Sequence, residues 1–350
     1  MKPSSKGFQV AVVGASSLLG KELVNVLEER AFPISRLVTF EADPDEPDLP
    51  IIDLRERSET TVTEEDISET SLDFAFLASR SVGGPPAFLR EVAMAEVAHC
   101  AVIDLSGSAH ELAPGVMDIP SLGPVLPRPV VDQSRVRPRF HISPHPATIV
   151  ISSLLLRLAR AFPLERAMGN VFCSASEFGP KAIEELQKQT VNLLSFHKVP
   201  EAVFGGQLAF NMLQRLGRGS GGLLNELETR VRGELRVYLA GLIPVPALRL
   251  IQVPVFHSLA VSLYVETSRP ASPEALTKAL AGAPIHVRRA SQAAPSHVES
   301  AGSSDLLVDV IIPDPDHPNG AWIWATVDNL RLAAVNAVEI AEGIYKTTRM

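Results

Sequence analysis

Chemistry in this chain would centre on one turn. Ser143-Pro144-His145-Pro146-Ala147-Thr148 leaves a short apolar segment holding Phe140 and Ile142 and enters the apolar run from Ile149 to Leu158. A strand, a tight turn and a helix start, in that order, aim side chains and backbone N–H groups into a cleft, which is where a nucleophile belongs. The centre of this turn is Pro146, which carries no nucleophilic atom. A substitute would come from elsewhere: Cys173 as a thiolate, with His145 or His257 as its base. Metal chemistry is not expected. Pro144 breaks the helix that would put His141 and His145 on one face, and no bidentate glutamate follows Asp314 and Asp316 where calcium needs one.

The elements that must position this turn begin at the N-terminus. Phe8 to Gly14 is a short, fully apolar run ending in glycine. Ala15-Ser16-Ser17-Leu18-Leu19-Gly20 and a helix with Leu23, Val24, Val26 and Leu27 follow, with Lys21 to Arg30 as its charged stretch. Strand, glycine turn and helix open a dinucleotide-binding unit, with Gly14, Ser16, Ser17, Leu18, Leu19 and Gly20 as cofactor contacts. Ser17 replaces the middle glycine and is expected to crowd a pyrophosphate. The second strand ends in Glu41, placed to accept from a ribose 2′-hydroxyl and to repel a 2′-phosphate. Leu72 to Ala78 reads as a third buried strand, after which Ser79 and Ser81 line the far side of the crevice. NAD, weakly bound, is therefore expected over NADP.

Five prolines between residues 117 and 140 mark a stiff connection and a domain boundary. Beyond it, strand patterns at Val245 to Val255, Ala260 to Glu266, Leu306 to Ile312 and Ala321 to Thr326 accompany amphipathic helices, and a polar hairpin turn spans Pro313 to Gly320. The expected architecture is α/β. A Rossmann-type doubly wound domain, residues 1–141 and 322–350, is completed by the C-terminal helix, and an α+β dimerisation and substrate domain covers residues 142–321.

Over nearly its whole length the chain resembles the aspartate-semialdehyde dehydrogenase family. The resemblance is carried by Gly14 to Gly20, Pro144 to Thr148, Ala209 to Asn211, Val253 to Phe256 and Asp328 to Glu342. The family pattern at the central turn is Asn-Pro-Asn-Cys-Ser/Thr-Thr, so Pro146 stands at the nucleophile position. Against Arg-Val-Pro-Val-Phe-x-Gly-His, an ungapped reading puts Gln252 at the substrate-carboxylate arginine and Leu259 at the general-base histidine. His257, two residues earlier, would share the face of Leu259 on a regular strand. Glu111 replaces a phosphate-holding arginine, and an acidic run from Glu41 to Glu46 replaces a phosphate clamp. The resemblance implies an NAD(P)-binding fold, a homodimer formed through the second domain, and a catalytically silent protein like the Usg-like branch, one that binds a small molecule or a protein partner. The alternative is a semialdehyde or aldehyde dehydrogenase with rebuilt catalysis on Cys173.

Bulk properties agree with a globular chain. At 350 residues, 46% apolar and 21% charged, it can build two cores. A net charge of −8 leaves no basic stripe for nucleic acid, and the longest apolar runs are interrupted before they could span a bilayer. Two cysteines in apolar surroundings, and no cleavage site after the N-terminal run, point to the cytoplasm.

Overall fold

The computed structural model describes residues 7–40, 72–78, 100–107, 115–123, 140–217 and 223–349. Glu41, Ser79, Ser81 and Glu111 lie outside the described residues. The chain divides into two compact units, one of residues 1–123, 129–144 and 333–350, the other of residues 124–128 and 145–332.

In the first unit six strands form a wholly parallel sheet: β1 (Phe8–Val13), β2 (Ile34–Phe40), β3 (Phe74–Leu77), β4 (Ala101–Asp104), β5 (Val116–Met117) and β6 (Phe140–Ile142). Their order is β2-β1-β3-β4-β6-β5. β3 and β4 are buried at every residue, as continuous apolar runs in a doubly covered parallel sheet must be. The order turns back at β1, so the β1/β3 carboxyl ends are the switch point at which such sheets bind ligands. Helix α1 (Leu18–Glu29) follows β1 and buries Gly20, Leu23, Val26 and Leu27. The C-terminal helix Asn329–Arg349 contributes Ala334, Ala337, Val338 and Ala341 to the same core as Val10, Val12, Phe74 and Phe76. Phe8 is the aromatic hub, edge-on to Phe74 and Tyr345 at 5.1 and 5.0 Å between centroids.

The second unit is built around α2 (Pro146–Ala159), apolar on all sides and buried almost throughout, as a core helix rather than a surface one. In chain order it is followed by β7 (Leu164–Cys173), α3 (Pro180–Leu194), α4 (Leu223–Tyr238), β8 (Ala247–Gln252), β9 (Leu259–Thr267) and α5 (Pro273–Leu280). Then come β10 (Ile285–Val287), α6 (His297–Ser300), β11 (Leu306–Val308), β12 (Ile312–Pro313) and β13 (Gly320–Val327). The mixed sheet runs β10-β11-β13-β9-β7-β8, with β12 paired to β13. α2 packs on β7 and β9. Ala167, Val171, Cys173, Val261, Leu263 and Ile323 line one buried face of this sheet. On the opposite face Met168, Tyr264, Trp322 and Ile312 form one cross-strand row, in which Met168, Trp322 and Ile312 are exposed.

Two boundaries differ from those read in the sequence. Residues 322–332 fall in the second unit, and β13 among them pairs with β9 along its whole length, from Gly320–Glu266 to Val327–Leu259. The expected strand from Leu306 to Ile312 is two short ones, β11 and β12. The hairpin between β12 and β13 is present, and its turn is closed by the Asp314 carboxylate, which accepts the N–H groups of Asp316 and His317. Among the described residues no helix is long and apolar enough to cross a membrane.

A substitution tests the close packing of β1 and α1. A Cβ at Gly20 would overlap the Gly14 carbonyl oxygen and lie 2.7 Å from Ala15 Cα, whereas one at Gly343 meets nothing within 4 Å among the described residues. Gly20→Ala is expected to cost about 1–3 kcal/mol. Gly343→Ala is expected to be neutral or to stabilise by about 0.4–1 kcal/mol. Urea midpoints of the two variants measure the difference.

Candidate functional site

Each unit carries one turn with the geometry of a site. In the first, Gly14 has φ +77°, which relieves the sharp exit from β1 of the Cβ clash other residues would meet. Ser17 is the N-cap of α1, with φ −62° and ψ 159°. Its hydroxyl donates to the Gly14 carbonyl at 2.7 Å and accepts the Gly20 N–H at 3.0 Å. The hydroxyl thus folds back as a helix cap. The N–H groups of Leu18 and Leu19, at the positive end of the helix, find no partner among the described residues. A helix N-terminus at the carboxyl end of β1, beside the switch point, fits the pyrophosphate of a dinucleotide. Those two donors and the Gly14 backbone would hold it.

In the second unit the turn at α2 is already occupied by its own side chains. His145 is the N-cap, and its Nδ1 accepts the Ala147 N–H at 3.1 Å. The ring proton therefore sits on Nε2, which donates to Glu177 Oε1 at 2.8 Å. From α4, the Glu234 carboxylate accepts the His145 N–H at 2.8 Å, the Thr148 hydroxyl at 2.6 Å and Arg230 Nε at 2.7 Å. The second oxygen of Glu177 accepts from Asn329 Nδ2 at 3.3 Å, and Ser176 donates to Asn329 Oδ1 at 3.2 Å. Pro146, the first helical residue, contributes neither a nucleophile nor an N–H. With both ring nitrogens engaged and the residue 2% exposed, His145 is a cap and not a free base. Burial by itself would raise the Glu177 carboxyl. The His145 imidazole, Arg230 and the Asn329 amide outweigh it and hold Glu177 below the ordinary carboxylate value.

The remaining candidates fall on one cross-strand row. Cys173 on β7 stands opposite Gln252 on β8 and opposite Leu259 on β9. All three are buried, at 0%, 0% and 1% exposure. Burial, reinforced by Glu177, pushes the Cys173 thiol well above its ordinary range, the reverse of what a thiolate nucleophile needs. The Gln252 amide donates to the Val253 carbonyl at 3.3 Å, while its Oε1 has no partner among the described residues. His257 is exposed in the bend before β9. Ser258, with φ +74°, breaks the alternation that would have put His257 on the face of Leu259. The structure does not assemble Cys173, His145 and His257 into a nucleophile–base pair. Sequence reasoning missed Glu234 as a partner of the turn. The four-residue spacing of Arg230 and Glu234 on one helix was the available signal.

A doubly wound parallel domain with a glycine turn, joined to a mixed-sheet domain, defines a dinucleotide-fold protein of two domains. The profile of the semialdehyde dehydrogenase NAD-binding domain matches residues 9–125, and that of the semialdehyde dehydrogenase dimerisation domain matches residues 155–332. The chain belongs to the semialdehyde dehydrogenase family. It is 27% identical over 345 residues to an aspartate-semialdehyde dehydrogenase of Shewanella sp., covering 98% of this chain and 99% of the relative. It is 28% identical over 348 residues to a USG-1 protein homolog of Pseudomonas aeruginosa, covering 98% and 99%. Among solved structures, a probable aspartate-semialdehyde dehydrogenase from Pseudomonas aeruginosa superposes with a TM-score of 0.79 at 26% identity, covering 97% of this chain and 99% of that one.

Two outcomes follow from the burial and charge of this site. Native protein should resist iodoacetamide near neutral pH at both cysteines, since Cys100 is likewise buried with its thiol pushed up to about 12. Both should label after unfolding, and rapid native labelling of Cys173 would contradict the assignment. The depressed Glu177 carboxyl adds stability that is present above the unfolded carboxylate value of about 4.3 and lost as pH falls through its folded value. Urea midpoints should therefore drop below about pH 4.3, and Glu177→Gln should flatten part of that drop.

Proposed function

We propose that this chain is a catalytically silent aspartate-semialdehyde dehydrogenase-like protein, a homodimer that acts by binding a small molecule or a protein partner. The observation that carries the reading is the closed row of Gln252, Cys173 and Leu259, together with a turn whose first helical residue is Pro146. Acyl transfer on an aldehyde needs a thiolate, a base and donors for the developing oxyanion. Here the thiol is sealed and protonated, the histidine at the turn is a helix cap, and the N–H groups of His145 and Ala147 are satisfied internally. The likeness to a USG-1 homolog is compatible with this reading, and the likeness to aspartate-semialdehyde dehydrogenases sets the reaction to assay.

The glycine turn supports binding of a dinucleotide, with NAD favoured over NADP by Glu41 and its acidic neighbours. Binding is weak because Ser17 Oγ takes the Gly20 N–H that would otherwise face a phosphate. Two buried thiols suit the reducing cytoplasm. The exposed row of Met168, Trp322 and Ile312 supports face-to-face pairing of two copies, in keeping with the dimerisation-domain match.

Steady-state assays test the proposal directly. Purified protein should turn over aspartate semialdehyde with phosphate and NAD or NADP no faster than the buffer blank. Activity above the blank that disappears in Cys173→Ala would overturn it. Calorimetric titration should find NAD bound more tightly than NADP, and the reverse order would refute the charge argument. Sedimentation at micromolar concentration should give a dimer, weakened at least about tenfold by Trp322→Glu. A wild-type monomer would remove the assembly claim.

A further inference from the structure

Edge strand β10 and the turn after it form a concavity of about 390 Å³, lined by His286, Val287, Arg288, Arg289, Ser291 and Gln292. It lies in the second unit and shares no residue with the α2 turn or the Cys173 row. The turn is held in shape by the Gln292 side chain, whose Oε1 accepts the Arg289 N–H at 2.8 Å, while the Gln292 N–H donates to the Arg289 carbonyl at 2.9 Å. Arg288 is fixed by its backbone N–H on the Val308 carbonyl at 2.8 Å and by a guanidinium contact with Glu299.

The nearby acids are already engaged. Glu299 pairs with Arg288, and Asp305 lies 3.3 Å from His286 Nε2. No carboxylate lines the concavity itself. The Nε–H of Arg288 is buried and has no hydrogen-bond partner among the described residues. The guanidinium of Arg289 is exposed and also meets no partner among the described residues. Two adjacent arginines, the guanidinium of Arg289 exposed, a hydroxyl at Ser291 and no lining acid match a phosphoryl group better than an apolar or cationic ligand.

We propose that this concavity is a binding site for the phosphoryl group of a small phosphorylated metabolite, with the oxygens taken by the Arg289 guanidinium and the Ser291 hydroxyl and with Arg288 in the wall. The site stands independently of the silent-enzyme reading, since none of its residues takes part in that argument. Its volume leaves room for more than a bare phosphate, within the range of small-molecule sites.

Inorganic phosphate is the probe, titrated into the full chain by calorimetry at low ionic strength. A dissociation constant of about 1 mM or tighter is expected. The glycine turn could also attract phosphate, so the variants decide the location. Arg289→Glu should weaken binding at least about tenfold, and Arg289→Lys should retain part of it. Both should leave the melting temperature in phosphate-free buffer unchanged, because the side chain is exposed. No measurable phosphate binding by the wild type would overturn the proposal. So would unchanged affinity in Arg289→Glu, which would place the ion elsewhere.

Discussion

The second unit depends on how the start of α2 is satisfied. This helix is apolar on every side and buried nearly throughout, so its N-terminal donors cannot turn to water. The Glu234 carboxylate accepts the His145 N–H and the Thr148 hydroxyl, and Arg230 offsets its charge at 2.7 Å. His145 closes the next donor with its own ring and passes its proton toward Glu177. Removing one member of a buried charged set typically costs about 3–5 kcal/mol, because the survivor is left unpaired. The arrangement is therefore a structural keystone, and a helix end committed to its own side chains has little left for a substrate.

That commitment is the physical basis of the silence proposed above. A nucleophile at the head of a buried helix gains from a positive helix terminus and free N–H groups. Proline at the first helical position removes the side chain and the N–H together, and it is also a residue that starts helices well. The row on β7, β8 and β9 follows the same logic, for Leu259 and Cys173 fill core positions and leave Gln252 as its polar member. The first unit keeps a glycine turn with Ser17 folded back as a helix cap, in a parallel sheet of the dinucleotide-binding type.

Local features were legible in the sequence. The apolar run ending at Gly14 forms β1, and Gly20 is required by contact with Gly14. Long-range partnerships were not. His145 meets Glu177 across 32 positions and Glu234 across 89, and nothing in local pattern announces either. The misplacement of His257 came from one residue, since the left-handed backbone at Ser258 ends an alternation that β9 resumes only at Leu259. The allegiance of β13 was likewise set by pairing with β9 rather than by composition.

The proposed silence turns on whether Cys173, or any other side chain, forms a covalent acyl intermediate. Intact-mass spectrometry after incubation with aspartate semialdehyde and NAD, or with the corresponding acyl phosphate, reads this without depending on turnover. The account predicts an unchanged protein mass at all times. A stable added mass equal to the acyl group, mapping to Cys173 and absent in Cys173→Ala, would contradict it.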